Sequence, residues 1–264
     1  MKGRIKNNPS FFIHFYLSYL RKIILIFERM GIKSLLAKPF ASYIHKQTQK
    51  WALKPVETQN NVLTNLVTTA QNTVFGKDHN FATIKNYEDF KKNVPVRDYE
   101  ELKPYVEQIL NGVSDVLWIG KPSYFSKTSG TTSGVKYIPL TKESIPTHIN
   151  SARNALLSYV HETGKSEFLD KNMIFLSGSP ELDKKGDINY GRLSGIVNHH
   201  IPFFLKKNQK PSYETNCIDV WEQKLDAIIG ETVHCPMSLI SGIPPWVQMY
   251  FDKIREQNNG KLIK

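Results

Sequence analysis

The sequence has little cysteine and no long apolar run, and both absences exclude classes of protein. Its two cysteines, Cys217 and Cys235, cannot form a disulfide framework or a zinc site built on paired Cys-x-x-Cys motifs. A chain of this kind suits a reducing compartment, so we expect a cytoplasmic protein. The chain has 40% hydrophobic and 22% charged residues and no internal repeat or low-complexity stretch. This composition excludes collagen-like, mucin-like and wholly disordered proteins as well.

The formal charge is strongly positive, +11 at pH 7, but it is not concentrated in a recognisable nucleic-acid motif. No run of five or six like charges occurs, and basic residues do not alternate with aromatic ones as they do in grooves that stack bases. A positive field concentrates anions in general. The charge therefore favours anionic partners such as nucleotides, and we expect no nucleic-acid partner.

Residues 1–29 form a basic, apolar extension that differs from everything after it. The extension carries six lysines and arginines against one acid, and Arg21 and Lys22 interrupt its apolar stretch. Placing these two charges in the middle of a bilayer would cost several kcal/mol, so no stable membrane span is expected. No small-x-small cleavage site follows, as a secretory signal requires. We interpret the extension as lying outside a domain of residues 30–264, with an interfacial amphipathic helix as the alternative.

The spacing of apolar residues changes near residue 116, and the change predicts an α/β fold. Before it, apolar residues recur every three or four positions over residues 32–50 and after Pro55, and Asp98 and Glu101 have capping-box spacing, which predicts a helical opening segment. After it, short apolar runs alternate with longer helical patterns. The predicted strands are 116–119, 137–140, 173–176 and 238–240, and the predicted helices are 142–160, 216–229 and 245–257. Such alternation implies a mostly parallel sheet flanked by helices, with ligands at the carboxyl ends of the strands.

The segment from Thr128 to Lys136 carries the strongest indication of chemistry. Seven of its nine residues are glycine or small hydroxyl residues. Small residues let the backbone approach a ligand closely, so that N–H groups and hydroxyls donate to anionic oxygens. Lys136 adds one mobile positive charge at the end of the segment. Several neutral donors and one cation suit a polyphosphate, because the cation balances the charge on a departing pyrophosphate.

Better-known phosphate motifs do not fit this loop. A Walker A loop requires GxxxxGK[ST], whereas here three residues separate Gly130 from Gly134, and Tyr137 stands where the metal-binding hydroxyl would be. The GxGxxG pattern of dinucleotide folds is absent too. A flexible Ser/Thr/Gly surface loop is the structural alternative, which the fixed lysine and the strand-like residues directly after it disfavour.

The loop and its flanks resemble a known family. Ser129-Gly130-Thr131-Thr132, with Lys136 seven positions after Ser129, resembles the phosphate loop of the adenylate-forming superfamily. Gly-x-Pro-Lys usually ends that loop. Here Ser133-Gly134-Val135-Lys136-Tyr137-Ile138-Pro139 resembles instead the auxin-responsive promoter (Gretchen Hagen) family of acyl-acid amido synthetases, in its bacterial type. The resemblance extends from about Ile32 to the last residue, through Lys38-Pro39-Phe40, Trp51, Phe75-Gly76, residues 87–90, Val94-Pro95-Val96, Tyr105 and residues 241–246.

The resemblance implies an ATP-dependent ligase. A small carboxylic acid would be activated by MgATP as an acyl-adenylate, and an amine, in this family an amino acid, would then form an amide. By resemblance, the β- and γ-phosphates are held by Thr128, Ser129, Gly130, Thr131, Thr132, Ser133 and Gly134, with Lys136 as the catalytic cation. The segments that bind Mg²⁺ and the ribose, and the small C-terminal domain, are expected after Lys264, so the chain is expected to be an N-terminal fragment with little activity alone.

Two other functions stay open from the sequence. An acyl-CoA or aryl-CoA ligase shares the first half-reaction and differs in the acceptor. A non-catalytic nucleotide- or membrane-associated module, with residues 1–29 as its working part, belongs to a different class. The oligomeric state is not legible from the residues.

Four further residues are candidates for substrate binding. Ser177 and Gly178 follow the predicted strand 173–176, where an α/β sheet presents residues to a ligand. Gly242 and Trp246 belong to a strand-to-helix turn that by resemblance borders the acyl pocket, although Trp246 equally suits packing of the helix onto the sheet. The segment 181–187 is interpreted as a solvated turn.

The histidines do not form a recognisable metal motif. His199 and His200 have no third ligand at regular spacing, so we interpret them as structural or pocket-lining residues and expect no metal ligand. His234 and Cys235 are adjacent, which does not by itself build a catalytic dyad; a buried thiol is expected at Cys235.

Overall fold

The computed structural model describes residues 31–128 and 134–260. The predicted extension, residues 1–29, and the interior of the predicted phosphate loop, residues 129–133, lie outside the described residues. No helix in the described ranges is long and apolar enough to cross a membrane.

The opening third of the described chain is helical, as the apolar spacing predicts. The capping box before α5 is present, since Asp98 accepts from the N–H of Glu101 and Glu101 accepts from the N–H of Asp98, each at 3.0 Å. Pro55 occupies the first turn of α2, where its missing N–H costs no hydrogen bond. The helices are α1 (Ile32–Ala52), α2 (Pro55–Ala70), α3 (Val74–Asp78), α4 (Tyr87–Asn93) and α5 (Tyr99–Leu110), with a 3₁₀ turn at Phe81–Thr83.

Four strands form a first sheet in the order β2-β1-β5-β4. β1 is antiparallel to β2 and parallel to β5, and β4 is antiparallel to β5. The strands are β1 (Tyr124–Lys127), β2 (Tyr137–Leu140), β4 (Asp183–Lys185) and β5 (Ile188–Gly191). Phe125 is fully buried in this sheet and belongs to a core cluster with Val106, Ile109, Val116 and Ile188, so α5 covers this part of the molecule.

Three parallel strands form a second sheet in the order β6-β3-β7. Ile174 and Leu176 pack there with Ile228 and Tyr250, which lie on the two helices that cover the sheet. The strands are β3 (Asn172–Phe175), β6 (Gln209–Lys210) and β7 (Met237–Ser241). The remaining helices are α6 (Ile145–Thr163), α7 (Leu193–His199), α8 (Phe203–Lys206), α9 (Tyr213–Asn216), α10 (Trp221–Thr232) and α11 (Pro244–Gln257), with a 3₁₀ turn at Glu167–Asp170.

The α/β class with flanking helices is confirmed, and the strands divide between two sheets. Only the second sheet is wholly parallel; the first contains two antiparallel pairs. Of the predicted strands, those at 137–140, 173–176 and 238–240 are present, each within a residue or two of its predicted limits.

Two assignments from the sequence were wrong. Residues 116–119 are not a strand, because the carbonyls of Asp115 and Val116 accept hydrogen bonds from Val74 and Phe75 at the start of α3; the run is apolar because Val116 is buried. The segment 181–187 is not only a turn, since β4 lies within it and pairs with β5.

Candidate phosphate-binding site

The predicted phosphate loop joins the two strands of an antiparallel hairpin. Lys127, the last residue of β1, lies opposite Tyr137, the first residue of β2. One residue further, the N–H of Thr128 donates to the carbonyl of Lys136 at 3.0 Å. Gly134 is exposed, with φ +76° and open space where a side chain would stand. The two ends of the loop are therefore fixed by the sheet, and Thr128 and Lys136 meet at its root.

Lys136 is half-buried at the root of the loop. Its ammonium nitrogen lies 5.5 Å from the centre of the Tyr99 ring, a cation–π distance. The neighbouring Lys127 is paired with Asp183 at 3.6 Å, whereas no ion pair within the described ranges involves Lys136. Lys136 is thus a cation that an anionic ligand can use without breaking an existing ion pair.

Tyr99 holds the backbone next to Lys136 as well as its ammonium group. The N–H of Tyr137 donates to the Tyr99 hydroxyl at 2.8 Å, and that hydroxyl donates to the Tyr137 carbonyl at 3.4 Å. Tyr99 is itself fixed as the first residue of α5, directly after the Asp98 cap. The sequence gives no signal for this role, because the contact spans 38 residues of chain.

Two of the predicted substrate residues, Ser177 and Gly178, lie in the loop after β3, beside the carboxyl end of β5. Gly191, at the end of β5, pairs with Ser126 of β1. The next residue, Arg192, packs its side chain against Gly178, since a Cβ built on Gly178 would lie 2.4 Å from Cδ of Arg192. α7 then begins against the same loop, since a Cβ on Gly195 would lie 2.4 Å from the carbonyl oxygen of Ser179. Arg192 therefore connects the phosphate-loop hairpin with the loop that holds Ser177 and Gly178.

Ser177 is held by a buried lysine that lies on α10. The Lys224 ammonium, on a side chain only 4% exposed, donates to the carbonyl of Ser177 at 3.1 Å and to that of Asn216 at 2.6 Å. Burial lowers the pKa of Lys224, and the nearby Arg192 lowers it further, against the opposing fields of Cys217 and Asp219. A lysine four residues before the buried Ile228 interrupts the apolar face of a predicted helix, and this signal could have singled it out.

The lowered pKa of Lys224 predicts a pH dependence of stability. The unfolded chain binds this proton more tightly than the folded chain, so between the lowered pKa and the ordinary value of about 10.4 the free energy of unfolding rises with pH. Wild type is therefore expected to gain stability relative to Lys224→Met as the pH rises towards the ordinary pKa of lysine. Urea unfolding of both proteins at a series of pH values measures the difference. Titrating groups that do not interact with Lys224 cancel in that difference, whereas the thiol of Cys217, whose pKa Lys224 lowers, does not. A difference in the free energy of unfolding that stays constant, or falls, as the pH rises would show that the pKa of Lys224 is not lowered.

Gly242 lies beside the same strand ends, and Trp246 is partly buried against the core. A Cβ on Gly242 would lie 2.8 Å from Cβ of Leu176, the residue before Ser177, so the turn after β7 lies against the loop after β3. Trp246 stacks on Trp221, with ring centres 4.6 Å apart, and packs on the cluster that contains Ile228. Its position fits the packing role that was the alternative to substrate binding.

The paired histidines and the second cysteine make local contacts. His199 is 2.7 Å from the carbonyl oxygen of Pro180, and His200 meets the Tyr124 ring edge-on, with centres 5.5 Å apart. Neither belongs to a metal-ligand cluster within the described residues. The thiol of Cys235 is half-buried and donates to the carbonyl of Glu231 at 3.2 Å. Among the described residues, its hydrogen-bond partner is therefore this carbonyl and not the neighbouring His234.

Two clefts lie at the end of the hairpin farthest from the phosphate loop. One, of about 380 Å³, is lined mainly by apolar residues that include Leu66, Trp118 and Pro139. The other, of about 370 Å³, is bordered by Tyr124 and His200. Because Tyr124 begins β1 and Pro139 lies near the end of β2, neither cleft adjoins Thr128 or Lys136.

The comparisons with known proteins point to one family. A family model described as the GH3 family N-terminal domain matches residues 44–232. Indole-3-acetic acid-amido synthetase GH3.15 of Arabidopsis thaliana is 43% identical over 91 residues, which are 33% of this chain and 15% of that protein. The 4-substituted benzoates-glutamate ligase GH3.12 of the same plant is 36% identical over 91 residues, again 33% and 15% of the two chains.

The fold agrees with these sequence matches. The solved structure of AtGH3.15 acyl acid amido synthetase in complex with 2,4-DB superposes with a TM-score of 0.66 at 18% identity and covers 86% of this chain and 40% of the other. At that identity the likeness shows the fold alone. The chain thus spans less than half the length of the relatives that it matches. These relatives are plant proteins, which gives no support to the bacterial branch that the resemblance suggested.

The family model covers most of the chain, including the whole hairpin, Tyr99 and Arg192. This protein therefore belongs to the GH3 family and carries the N-terminal domain of that family.

Proposed function

We propose that this chain supplies the phosphate-binding part of an ATP-dependent acyl-acid amido synthetase that joins a small carboxylic acid to an amino acid. The observation that carries the proposal is the hairpin root, where Lys136 meets Thr128 beside a glycine- and hydroxyl-rich loop in a member of the GH3 family. Two relatives, an indole-3-acetic acid-amido synthetase and a 4-substituted benzoates-glutamate ligase, support the same reaction class.

The donor set suits the polyphosphate of ATP. Backbone N–H groups and hydroxyls of residues 128–134 would donate to the β- and γ-phosphate oxygens, and Lys136 would supply the positive charge. A carboxylate oxygen of the acid attacks the α-phosphorus, the bond from that phosphorus to its bridging oxygen breaks, and pyrophosphate leaves. Lys136 stabilises the charge that develops on the pyrophosphate, an interaction stronger in the transition state than in the ground state. The amine then attacks the acyl carbon, the bond from that carbon to the AMP oxygen breaks, and an amide forms as AMP and one proton from the amine leave.

A magnesium ion would be held mainly by other groups. Asp183 is a carboxylate next to the hairpin, and Lys127 already pairs with it at 3.6 Å. Mg²⁺ binds through phosphate oxygens and one or two carboxylates, and when bound it would neutralise phosphate charge. The residues around Lys136 therefore fit the phosphates, and none of them is proposed as a metal ligand.

The strand-end loop is proposed to border the substrate acids. Ser177, Gly178 and Gly242 lie together at the carboxyl ends of β3 and β7, where ligands bind in α/β sheets. Arg192, exposed beside Gly178, is the cation placed to attract a carboxylate there. A cytoplasmic location is part of the proposal, and the two free cysteines are consistent with it.

Two assays of the full-length protein test the proposed reaction. Exchange of labelled pyrophosphate into ATP is expected to depend on the carboxylic acid, because adenylation is reversible. Product analysis then separates the acceptors, with an amide expected from amino acids and no thioester from coenzyme A. A thioester product would show that the protein is an acyl-CoA ligase. Pyrophosphate exchange at the same rate with and without the acid would show that the acid is not adenylated.

Tyr99 offers a graded test of how Lys136 is positioned. Tyr99→Phe keeps the ring beneath the ammonium and removes the hydroxyl that accepts from the N–H of Tyr137, so we expect a loss of about tenfold in the exchange rate. Tyr99→Leu removes the ring contact as well, so a loss of about 30–100-fold is expected. Steady-state exchange measured against ATP concentration checks both variants.

The control for Tyr99 is Tyr87→Phe. Tyr87 also lies at the first position of a helix and holds a lysine over its ring, but the contact is with Lys91, on the exposed surface of α4. Its exchange rate should equal that of wild type. Equal rates for wild type and Tyr99→Leu would show that Tyr99 does not position the catalytic cation.

A further inference from the structure

A cluster of metal-ligating side chains lies far along the chain from the phosphate loop, where α1 packs against α6. His45 comes from α1, and His161 and Glu162 come from the last turn of α6. The two imidazole rings are stacked, with centres 4.0 Å apart and planes inclined by 20°. One possible ligand atom from each of the three residues lies within 4.8 Å of the other two.

Helix packing fixes the backbone positions of this cluster. Ala41 of α1 and Leu157 of α6 are buried in a shared core with Ile44 and Val160. His45 lies one turn beyond Ala41 and His161 one turn beyond Leu157, so the two imidazoles extend the same interface towards solvent. Ser42 Oγ lies 3.4 Å from Nδ1 of His161, a contact of the kind that orients a ligating imidazole.

We propose that His45, His161 and Glu162 form a binding site for a divalent transition-metal ion of the zinc type. Two imidazoles and one carboxylate are a ligand set that zinc uses, with water completing the tetrahedron. Nothing in the proposed amide synthesis requires this site, and the proposal stands or falls independently of that reaction.

The geometry allows an ion to enter with side-chain motion alone. Metal–ligand distances of about 2.0–2.2 Å place the ligand atoms of one tetrahedral ion about 3.4 Å apart. The carboxylate of Glu162 is now 3.9 Å from Nδ1 of His45, and its side chain is 68% exposed and free to move. Because the rings are nearly parallel, at least one imidazole has to tilt so that both lone pairs converge.

A bound ion would tie α1 to α6. An ion that binds the folded chain more tightly than the unfolded chain raises its stability by mass action. The expected consequence is therefore a metal-dependent rise in the midpoint of thermal unfolding, which comes from the helix interface and not from the phosphate loop.

Titration of the untagged chain with Zn²⁺ alone, followed by calorimetry, tests the site. His45→Ala and His161→Ala are each expected to weaken the tightest zinc-binding step by at least tenfold, and Glu162→Gln by less. His148→Ala, which removes an exposed histidine from the same helix, should bind as wild type does. If wild type takes up no zinc, or if His45→Ala binds it as tightly as wild type, the proposal is wrong.

A second readout separates metal binding from a loss of folding. Each variant is compared with its own metal-free form by circular dichroism, and His45→Asn replaces His45→Ala if the latter is unfolded. The zinc-dependent rise in the unfolding midpoint should be present in wild type and His148→Ala and absent in the His45 and His161 variants. An equal rise in all four proteins would place the ion elsewhere and overturn the proposal.

Discussion

Replacement of Lys136 by alanine is expected to lower the rate of acid-dependent pyrophosphate exchange in the full-length protein by about 10²–10³-fold, the usual cost of removing one charge-stabilising donor from a transition state. The side chain makes a cation–π contact with Tyr99 and no ion pair within the described part of the chain, so its loss removes little folding energy. The unfolding midpoint should therefore stay within about 2 °C of wild type.

The matched control for Lys136 is Lys184→Ala. Lys184 lies on β4 of the same sheet, is exposed, and has the same charge, but it is not at the root of the loop. Its exchange rate should match that of wild type, because a change in net charge alone is not expected to matter. Equal losses in the two variants would mean that Lys136 acts through the general field of the protein and not through contact with phosphate.

Replacement of Phe125 by alanine is expected to destabilise the domain by about 3–5 kcal/mol, as for other buried phenylalanines. Phe125 is fully buried in β1 and meets Tyr137 edge-on, with ring centres 6.2 Å apart. Its loss would leave a cavity under the hairpin that carries the predicted phosphate loop. Denaturant unfolding followed by circular dichroism measures the free energy of unfolding.

The comparison for Phe125 is Ile138→Ala on the partner strand. Ile138 pairs with Ser126, the residue after Phe125, but its side chain is 42% exposed. A cost below about 1 kcal/mol is expected there, since little apolar surface is lost from the interior. If both variants lose the same free energy, the hairpin is not packed with Phe125 inward.

The sequence predicts those parts of the fold that rest on local physics. The capping box at Asp98 and Glu101 and the proline at the start of α2 depend on residues three or four positions apart, and both appear as expected. Helices with a sustained apolar face, such as α10 and α11, are predicted for the same reason. The strand β7 is recognised as a short apolar run before a proline-initiated helix.

Features that depend on contacts between residues far apart in the sequence cannot be predicted in the same way. The run at Val116 is as apolar as a strand, and only the hydrogen bonds from α3 to residues 115 and 116 show why it is not one. All three residues of β4 are exposed, so no hydrophobic pattern marks it, and only pairing with β5 makes it a strand. The division into two sheets is also a matter of partner choice, which periodicity does not determine.

The candidate site divides in the same manner. Composition alone singles out residues 128–136, because glycine, serine and threonine with a closing lysine have a chemical meaning wherever they lie. Tyr99 and Arg192 have no such meaning until the fold places one beside Lys136 and the other beside Gly178. Tyr99 and Arg192 are therefore found only by folding the chain.

A structure of the full-length protein with ATP tests the central claim most directly. The claim predicts that phosphate oxygens lie within about 2.7–3.2 Å of backbone N–H groups between Thr128 and Gly134 and of the Lys136 ammonium. Nucleotide bound elsewhere, with Lys136 still resting on Tyr99 and no phosphate at the hairpin root, would contradict it.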